Sequence, residues 1–281
     1  GDHRDLHSFP TRRSSDLSPD LIEVDNFSFH TVDKKQELRI DGKYSKHNPS
    51  RILKTELSKI DLSYVFETLA IDALKFGGYA SGDVYLSSIE EKPYANTQLD
   101  VEDFQFNYTH LGQLSLFSEL DEKTNQVILD GTVTSKENKK TKVDGSIDPI
   151  NQRLSIHFDA DSIDIGFLKT YAESIFDKVS GRGTGKVHLY GDFSNVTVEG
   201  VADIIDGNIG IKFLNTDYTF SDRVYMREGF IYFNDITFRD QYNNIAIGSG
   251  KVVHDYFQNI MYHIELTADN FLVYNVPESQ N

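Results

Sequence analysis

The chain has 281 residues, a formal net charge of −16 at pH 7 and no cysteine. Its acidity disfavours nucleic-acid binding, because phosphate neutralisation needs clustered Lys and Arg. The lack of cysteine excludes disulfide bonds and thiolate metal sites. No run of 18 apolar residues occurs, so no membrane-spanning helix is predicted.

Residues 1–17, GDHRDLHSFPTRRSSDL, carry neither the two-residue period of a strand nor the 3.6-residue period of a helix. A signal peptide is excluded because the segment lacks an apolar core. Over its full length the segment resembles the translation of a widely used sequencing adapter. We therefore expect it to be non-native, and we expect the natural protein to extend beyond Ser18 and beyond the last residue.

The rest of the chain alternates between apolar and polar residues in many short runs. In ELRIDGKY, for example, Leu38, Ile40 and Tyr44 share one side, and in RLSIHFDA the same holds for Leu154 and Ile156. This alternation is typical of antiparallel strands with one dry face and one wet face. The spacing of strand and turn signals predicts roughly 15 to 20 short strands.

Four Asp-Gly pairs lie among these runs. Both residues tolerate a positive φ, so the dipeptide favours a tight hairpin turn. Some pairs lie within the alternation, where a glycine bulge inside a strand is an equal interpretation. The pairs are Asp41-Gly42, Asp130-Gly131, Asp144-Gly145 and Asp206-Gly207.

Two segments, 63–75 and 166–178, depart from the alternation and place apolar residues at helical spacing. Each follows an Ile-Asp pair and precedes a glycine-rich turn. We predict a short helix in each segment. In the second, the apolar stripe consists of Phe167, Leu168, Tyr171, Ala172 and Ile175.

A shift of 103 positions brings the two halves of the chain into register, so that Asp41, for example, coincides with Asp144. Internal repetition indicates an elongated array in which each unit covers the edge of its neighbour. The predicted units are residues 18–142 and 143–281.

A sheet with one continuous apolar face must cover that face. It can pack on a second sheet, or curl so that the apolar face lines a groove. We predict a mainly β fold: an elongated, curled antiparallel sheet, a taco-like β-groove, built from repeats of about 100 residues with short helices. The apolar lining suits a lipid chain as well as a packed core.

No motif for catalysis stands out. The stretch GRGTGKV at 181–187 lacks two residues of a phosphate-binding loop and opens a strand instead of a helix. Asp159 and Asp161 share one side of a strand, where a solvated acidic face is the favoured interpretation. The histidines form no metal pair at helical spacing. We expect no enzymatic activity, no metal and no cofactor.

The densest family signal lies in residues 179–275. Its elements are Ser180-Gly181 before a strand, Gly191 and Gly200 around a second strand, Leu214-Asn215-Thr216, Tyr218-Thr219-Phe220, and Gly250 with His254. In these elements the chain resembles the TamB family of translocation and assembly module proteins, part of the AsmA-like group, in its Bacteroidetes form. The resemblance extends over residues 61–275 and would lead into the C-terminal region of that family.

The resemblance implies an inner-membrane anchor outside this chain, a periplasmic location, and a hydrophobic groove that carries phospholipid between the inner and outer membranes. It also implies a BamA-like outer-membrane barrel partner, contacted through parts outside this chain, in outer-membrane protein assembly and secretion. Phospholipid acyl chains would contact the apolar side, and Lys212 and Glu265 would face water. The predicted groove residues are Val187, Leu189, Val198, Ile209, Ile211, Phe213, Tyr218, Phe220, Ile264 and Leu266.

Other functions fit the same pattern. A scaffold would hold nascent barrel proteins by strand addition at an open sheet edge, and a repetitive surface adhesin would be a β-sandwich. A conduit predicts an open trough, a scaffold an accessible edge, and an adhesin a filled core. A carbohydrate-active β-helix enzyme fits least, because the polar faces offer no convergent acid pair.

Overall fold

A computed structural model describes residues 17–18, 20–33, 35–68, 75–121 and 123–275 of the chain. These residues form one antiparallel sheet of 16 strands, in which every strand pairs with its neighbours in sequence. The sheet is not closed, and strands account for 72% of the structure against 4% for helices. The predicted mainly β fold, a curled open sheet with few helices, is therefore confirmed.

Most strands are longer than the short ones predicted from the sequence. Apart from the two-residue first strand, they contain 9 to 17 residues, because glycines and bulges within the runs let strand pairing continue. The strands are β1 (Leu17–Ser18), β2 (Leu21–His30), β3 (Glu37–Ser45), β4 (Leu53–Asp61), β5 (Phe76–Ile89), β6 (Lys92–Phe106), β7 (Thr109–Asp121), β8 (Gln126–Thr134), β9 (Lys140–Asp148), β10 (Arg153–Asp164), β11 (Phe176–Asp192), β12 (Asn195–Ile211), β13 (Thr216–Arg227), β14 (Phe230–Arg239), β15 (Ile245–Asp255) and β16 (Gln258–Ala268).

All four Asp-Gly pairs lie inside strands, so the hairpin interpretation is wrong for each of them. The apolar alternation continues on both sides of each pair, and pairing over nine or more residues outweighs a local turn preference. At Asp206 the bulge interpretation is correct. The register with β13 shifts between Ile204 and Gly207, and Asp206 has a φ of 51°.

The first predicted helix is present as α1 (Leu62–Thr68). The prediction extended to residue 75, and residues 69–74 lie outside the part of the chain that the structure describes. Neither of the two short helices in the described part of the chain could span a bilayer.

The second predicted helix, over 166–178, is a 3₁₀ helix at Gly166–Tyr171. Beyond Tyr171 the prediction is wrong, because the residues from Phe176 onward belong to β11 and Phe176 pairs with Ile211 of β12. Long-range strand pairing therefore replaces the last turns that the helical spacing predicted.

Bulges recur on the even-numbered strands and give the sheet its curl. Seven of these strands contain a residue with φ between 47° and 57° at a register shift. A bulge bends its strand and increases the local twist, so bulges on alternate strands curl the whole sheet. The bulge residues are Asn26, Lys59, Asp103, Ser162, Asp206, Asp235 and Asn259.

The 103-residue period recurs in the geometry of these bulges. The backbone N–H of Lys59 donates to Ser81 Oγ at 3.0 Å. At the positions 103 residues later, the N–H of Ser162 donates to Thr184 Oγ1, also at 3.0 Å. Equivalent positions thus use the same side-chain acceptor on the following strand to satisfy the same unpaired donor.

The curl brings separated strands together and buries one face of the sheet. Cα atoms of β7 and β10 approach within 8 Å, although two strands lie between them and a flat sheet would separate them by about 14 Å. We call the buried face the inner face and the other the outer face. The inner face holds a central cluster (Leu154, Ile156, Leu189, Phe193, Val196 and Val198), an N-terminal cluster (Ala80, Val101, Phe104, Leu111, Leu114 and Val133) and a C-terminal cluster (Tyr218, Ile236, Phe238 and Ala246).

Candidate functional site: the apolar inner face

One row of residues crosses the sheet from β2 to β16 on the inner face. Directly opposite residues of antiparallel strands share a face. The row consists of residues that are paired with one another from each strand to the next. No member is charged, and the members are three glycines and twelve apolar or aromatic residues. This apolar row consists of Phe29, Leu38, Leu57, Gly82, Leu99, Leu116, Gly131, Val143, Phe158, Val187, Gly200, Met226, Ile231, Val252 and Tyr262.

The outer face carries charges that pair across neighbouring strands. Arg223 donates two hydrogen bonds to Asp203, at 2.7 and 3.0 Å, and these bonds lower the pKa of the Asp203 carboxyl below its ordinary value. Exposed pairs of this kind each contribute about 0–1 kcal/mol, so they keep the outer face hydrated more than they stabilise the fold. Lys212 and Glu265, which we predicted to face water, are both exposed.

Seven of the ten predicted groove residues are packed into clusters on the inner face. Packing is the environment that the structure shows for them, and lipid contact stays a prediction. They are Val187, Leu189 and Val198 at the central cluster, and Ile209, Ile211, Tyr218 and Phe220 at the C-terminal cluster.

The other three predicted groove residues are exposed. Phe213 is 55% exposed and lies in the turn after β12, so its expected alignment with Ile209 and Ile211 on one strand is wrong, because β12 ends at Ile211. Ile264 and Leu266 lie on the inner face of β16 and are 44% and 45% exposed.

Aromatic side chains from outside the strands fill the middle of the curled sheet. The ring of Phe167 in the 3₁₀ helix lies 5.1 Å from that of Phe106. Tyr171 lies 4.6 Å from Phe257, which belongs to the β15–β16 turn, and burial raises the pKa of Tyr171 to about 12. Phe271, after β16, packs against the C-terminal cluster. In the part of the chain that the structure describes, the middle of the inner face is therefore packed with side chains. This is the filled core expected of an adhesin, and the open trough expected of a conduit is not found there.

The inner face is accessible near the two edges of the sheet. Phe27 and Phe29 of β2 are 39% and 46% exposed, and Tyr262, Ile264 and Leu266 of β16 are 52%, 44% and 45% exposed. We call the last three the β16 patch. Contiguous exposed apolar side chains mark surfaces that bind lipid, ligand or another chain, so the two edges are where the inner face can take a ligand.

The two carboxylates that we weighed as an acid pair are exposed on the outer face. Asp159 and Asp161 have separate lysine partners, Lys186 and Lys139, each at 3.7 Å, which fits the solvated acidic face. The GRGTGKV stretch lies within β11. Within the described ranges, no group of three or more His, Asp or Glu residues is placed to hold a metal ion.

His254 makes the stability of the β15–β16 turn sensitive to pH. Its Nδ1 accepts the backbone N–H of Phe257 at 3.2 Å, and burial lowers its pKa in spite of the neighbouring Asp255. The unfolded chain therefore binds a proton at a higher pH than the folded chain, so stability falls as the pH drops below about 6.5.

We expect the free energy of unfolding to decrease between pH 7.5 and 5.5, and His254→Asn to weaken this dependence. Asn places an acceptor near the position of Nδ1 but does not titrate. Urea unfolding at several pH values measures the effect. His263→Asn, at a histidine whose side chain is 83% exposed, is the control and should keep the dependence of the unchanged protein. The interpretation would be wrong if both variants gave the same profile.

Sequence reasoning missed Tyr262, Phe257 and Phe271 as inner-face residues. The run NIMYHIEL alternates, so Tyr262 could have been assigned to the same side as Ile264. Phe257 and Phe271 lie outside the strands, and no periodicity marks a residue that reaches the inner face from a turn or an irregular segment.

No family model, no curated protein and no solved structure matches the chain. The interpretation of the inner face therefore depends on the residues and the geometry of the chain itself.

Proposed function

We propose that the chain is a segment of an envelope-spanning, TamB-like protein of the periplasm, whose inner face conducts phospholipid and supports outer-membrane protein assembly together with a BamA-like partner. The observation that carries the proposal is the apolar row. It runs across the strands, which is along the length of the sheet, and no charge interrupts it over 15 strands.

The dimensions and energies of the row suit an acyl chain. Fourteen spacings of about 4.8 Å give a path of roughly 67 Å along the row. Each CH₂ group removed from water contributes about 0.8 kcal/mol, and even in a bilayer a single acyl chain gives only reversible binding. Reversible contact at successive strands is what transport along a surface requires.

The accessible parts of the inner face are Phe27 and Phe29 at the β2 edge and the β16 patch at the other edge. The middle of the inner face is filled by Phe167, Tyr171, Phe257 and Phe271, so lipid would enter at an edge of the sheet or displace these aromatic side chains. A β-sandwich adhesin would need a second sheet on the inner face, and the described residues form a single sheet.

Photo-crosslinking on β16 tests the proposal. We expect a photoreactive benzoylphenylalanine at Ile264 to capture phospholipid from vesicles of phosphatidylethanolamine and phosphatidylglycerol at least ten-fold more than one at Glu265. The two neighbours lie on opposite faces of one edge strand, and Glu265 is the more exposed, with 81% of its side chain accessible. Mass spectrometry of the adducts measures the difference.

A third probe at Ile211 separates an open groove from a filled one. Ile211 packs at the C-terminal cluster, so we expect capture there to be below that at Ile264 in the unchanged fold. Equal capture at Ile264 and Glu265, or none at Ile264 with intact circular dichroism, would reject lipid conduction by this face.

A further inference from the structure

An open cleft lies on the outer face, over β12 to β16. Ile231 and Val252 belong to the apolar row of the inner face, so their neighbours Tyr232 and Lys251 point to the opposite side of the sheet. Both of these side chains line the cleft, which has a volume of about 730 Å³. Ligand sites in proteins commonly have volumes of ~300–1,000 Å³. We call this surface the outer cleft, and its lining includes Glu199, Arg227, Phe230, Tyr232, Asn234 and Lys251.

Aromatic rings in the outer cleft are held in place by their neighbours. The ring of Tyr232 stacks on that of Tyr225, with the ring centroids 4.9 Å apart and 10° between the ring planes. The ring of Phe230 lies 5.9 Å from that of Tyr232, and Lys251 Nζ lies 3.8 Å from the centroid of Phe230. Side chains that are already ordered lose little conformational entropy when a ligand binds. The rings are therefore a preorganised surface for a ligand.

The charged groups of the outer cleft differ from those elsewhere on the outer face, where neighbouring charges pair. The guanidinium of Arg227 donates to the carbonyl of Met226, at 3.4 Å, and Lys251 lies over the ring of Phe230. In the described part of the chain neither cation forms an ion pair, although Glu199, Glu228 and Glu265 line the same cleft. Donors and acceptors of both signs are thus available to a ligand.

This mixture of groups disfavours anionic and apolar ligands. A phosphate would meet the carboxylates, and an acyl chain would bury ionic groups without partners. A sugar suits the mixture, because its hydroxyl groups both donate and accept hydrogen bonds, as Arg227, Asn234 and Glu199 require. Its C–H groups can also pack on the negative face of an aromatic ring, as the positive edge of a second ring does.

We propose that the outer cleft binds a neutral oligosaccharide. Sugar rings pack against Phe230 and Tyr232, and their hydroxyl groups bond to Arg227, Asn234 and Glu199. The outer cleft and the apolar row lie on opposite faces of the sheet, so the sugar site does not depend on lipid conduction. A protein with both would hold carbohydrate on its outer face while its inner face contacts acyl chains.

Calorimetric titration of the full chain tests the site, with cellotetraose, chitotetraose, maltotetraose and mannotetraose as the probes. We expect at least one tetrasaccharide to bind, and Tyr232→Ala to weaken that binding about ten-fold or more because the aromatic surface is lost. Tyr242→Ala is the matched control. Tyr242 is 68% exposed and lies outside the cleft in the β14–β15 turn, so its removal should leave the affinity unchanged.

Arg227→Ala is a second variant, which keeps the stack of Tyr232 on Tyr225. Arg227 is exposed, so the variant should fold, and we expect its affinity to fall about three-fold or more through the lost hydrogen bond. Added salt should change the affinity of the unchanged protein little, since the ligand carries no charge.

Three results would overturn the sugar site. The first is that no tetrasaccharide binds at millimolar concentration. The second is that Tyr232→Ala and Arg227→Ala both bind as tightly as the unchanged protein, with circular dichroism showing that they are folded. The third is that inorganic phosphate or phosphocholine binds in the cleft and no tetrasaccharide does, which would assign the cleft to a charged ligand.

Discussion

An Ile236→Ala variant is expected to have a free energy of unfolding about 3 kcal/mol below that of the unchanged protein. Ile236 is 1% exposed and lies in the C-terminal cluster beside Tyr218, Phe238 and Ala246. Truncation of a fully buried isoleucine removes its transfer free energy and leaves a cavity, which together cost about 2–5 kcal/mol. Urea denaturation followed by circular dichroism measures the change.

Ile264→Ala is the matched control for this variant. Ile264 has the same side chain on the same face, but it is 44% exposed on the edge strand. We expect a loss of less than about 1 kcal/mol there, in line with surface substitutions. Similar losses at both positions would contradict the placement of the core between β13 and β15.

A Gly82→Ala variant is expected to lose about 2 kcal/mol or more. Gly82 lies in the apolar row with a φ of +145°. Residues other than glycine rarely adopt this backbone conformation, which costs them about 1–3 kcal/mol. An added Cβ would also overlap the carbonyl oxygen of Gln98 on β6. The strands would have to separate, which weakens the pairing of β5 with β6.

Gly77→Ala on the same strand is the control for backbone strain. A Cβ at Gly77 would lie 3.5 Å from Gln105 Cβ, an ordinary contact, and its φ is not in the left-handed region. We expect this variant to keep or raise the melting temperature, since alanine reduces the entropy of the unfolded chain. If Gly77→Ala and Gly82→Ala melted at the same temperature, the strained backbone at Gly82 would be disproved.

The alternation of apolar residues predicted the strands and their inner face, because a period of two is a local property. Ile209 and Ile211 lie on the inner face as expected. The ends of the strands were predicted less well. Phe213 continues the alternation by sequence but lies beyond the end of β12, and residues 176–178 have helical spacing but belong to β11. Pairing with a neighbouring strand decides where a strand begins and ends. The residue pattern within one strand carries no information about that pairing.

The apolar character of the candidate site could be predicted from the sequence, but the extent to which side chains fill it could not. Apolar residues on one face were visible in the sequence, whereas the filling of that face was not. Phe257 reaches Tyr171 from 86 positions away, and Phe271 reaches Tyr218 from 53 positions away. Only the curl of the sheet brings these pairs together, and the curl depends on bulges whose φ values the sequence does not reveal.

The pairing of every strand with its sequence neighbours has a consequence for growth of the protein by duplication. Because strands pair only with their sequence neighbours, a unit can be added at the end of the sheet without breaking an existing strand pair. Each unit can then fold against the previous one, as in other repeat proteins. Six further strands lengthen the sheet by roughly 29 Å at about 4.8 Å per strand. Duplication of whole units is thus a direct way to match the length of such a protein to the distance that it must cover.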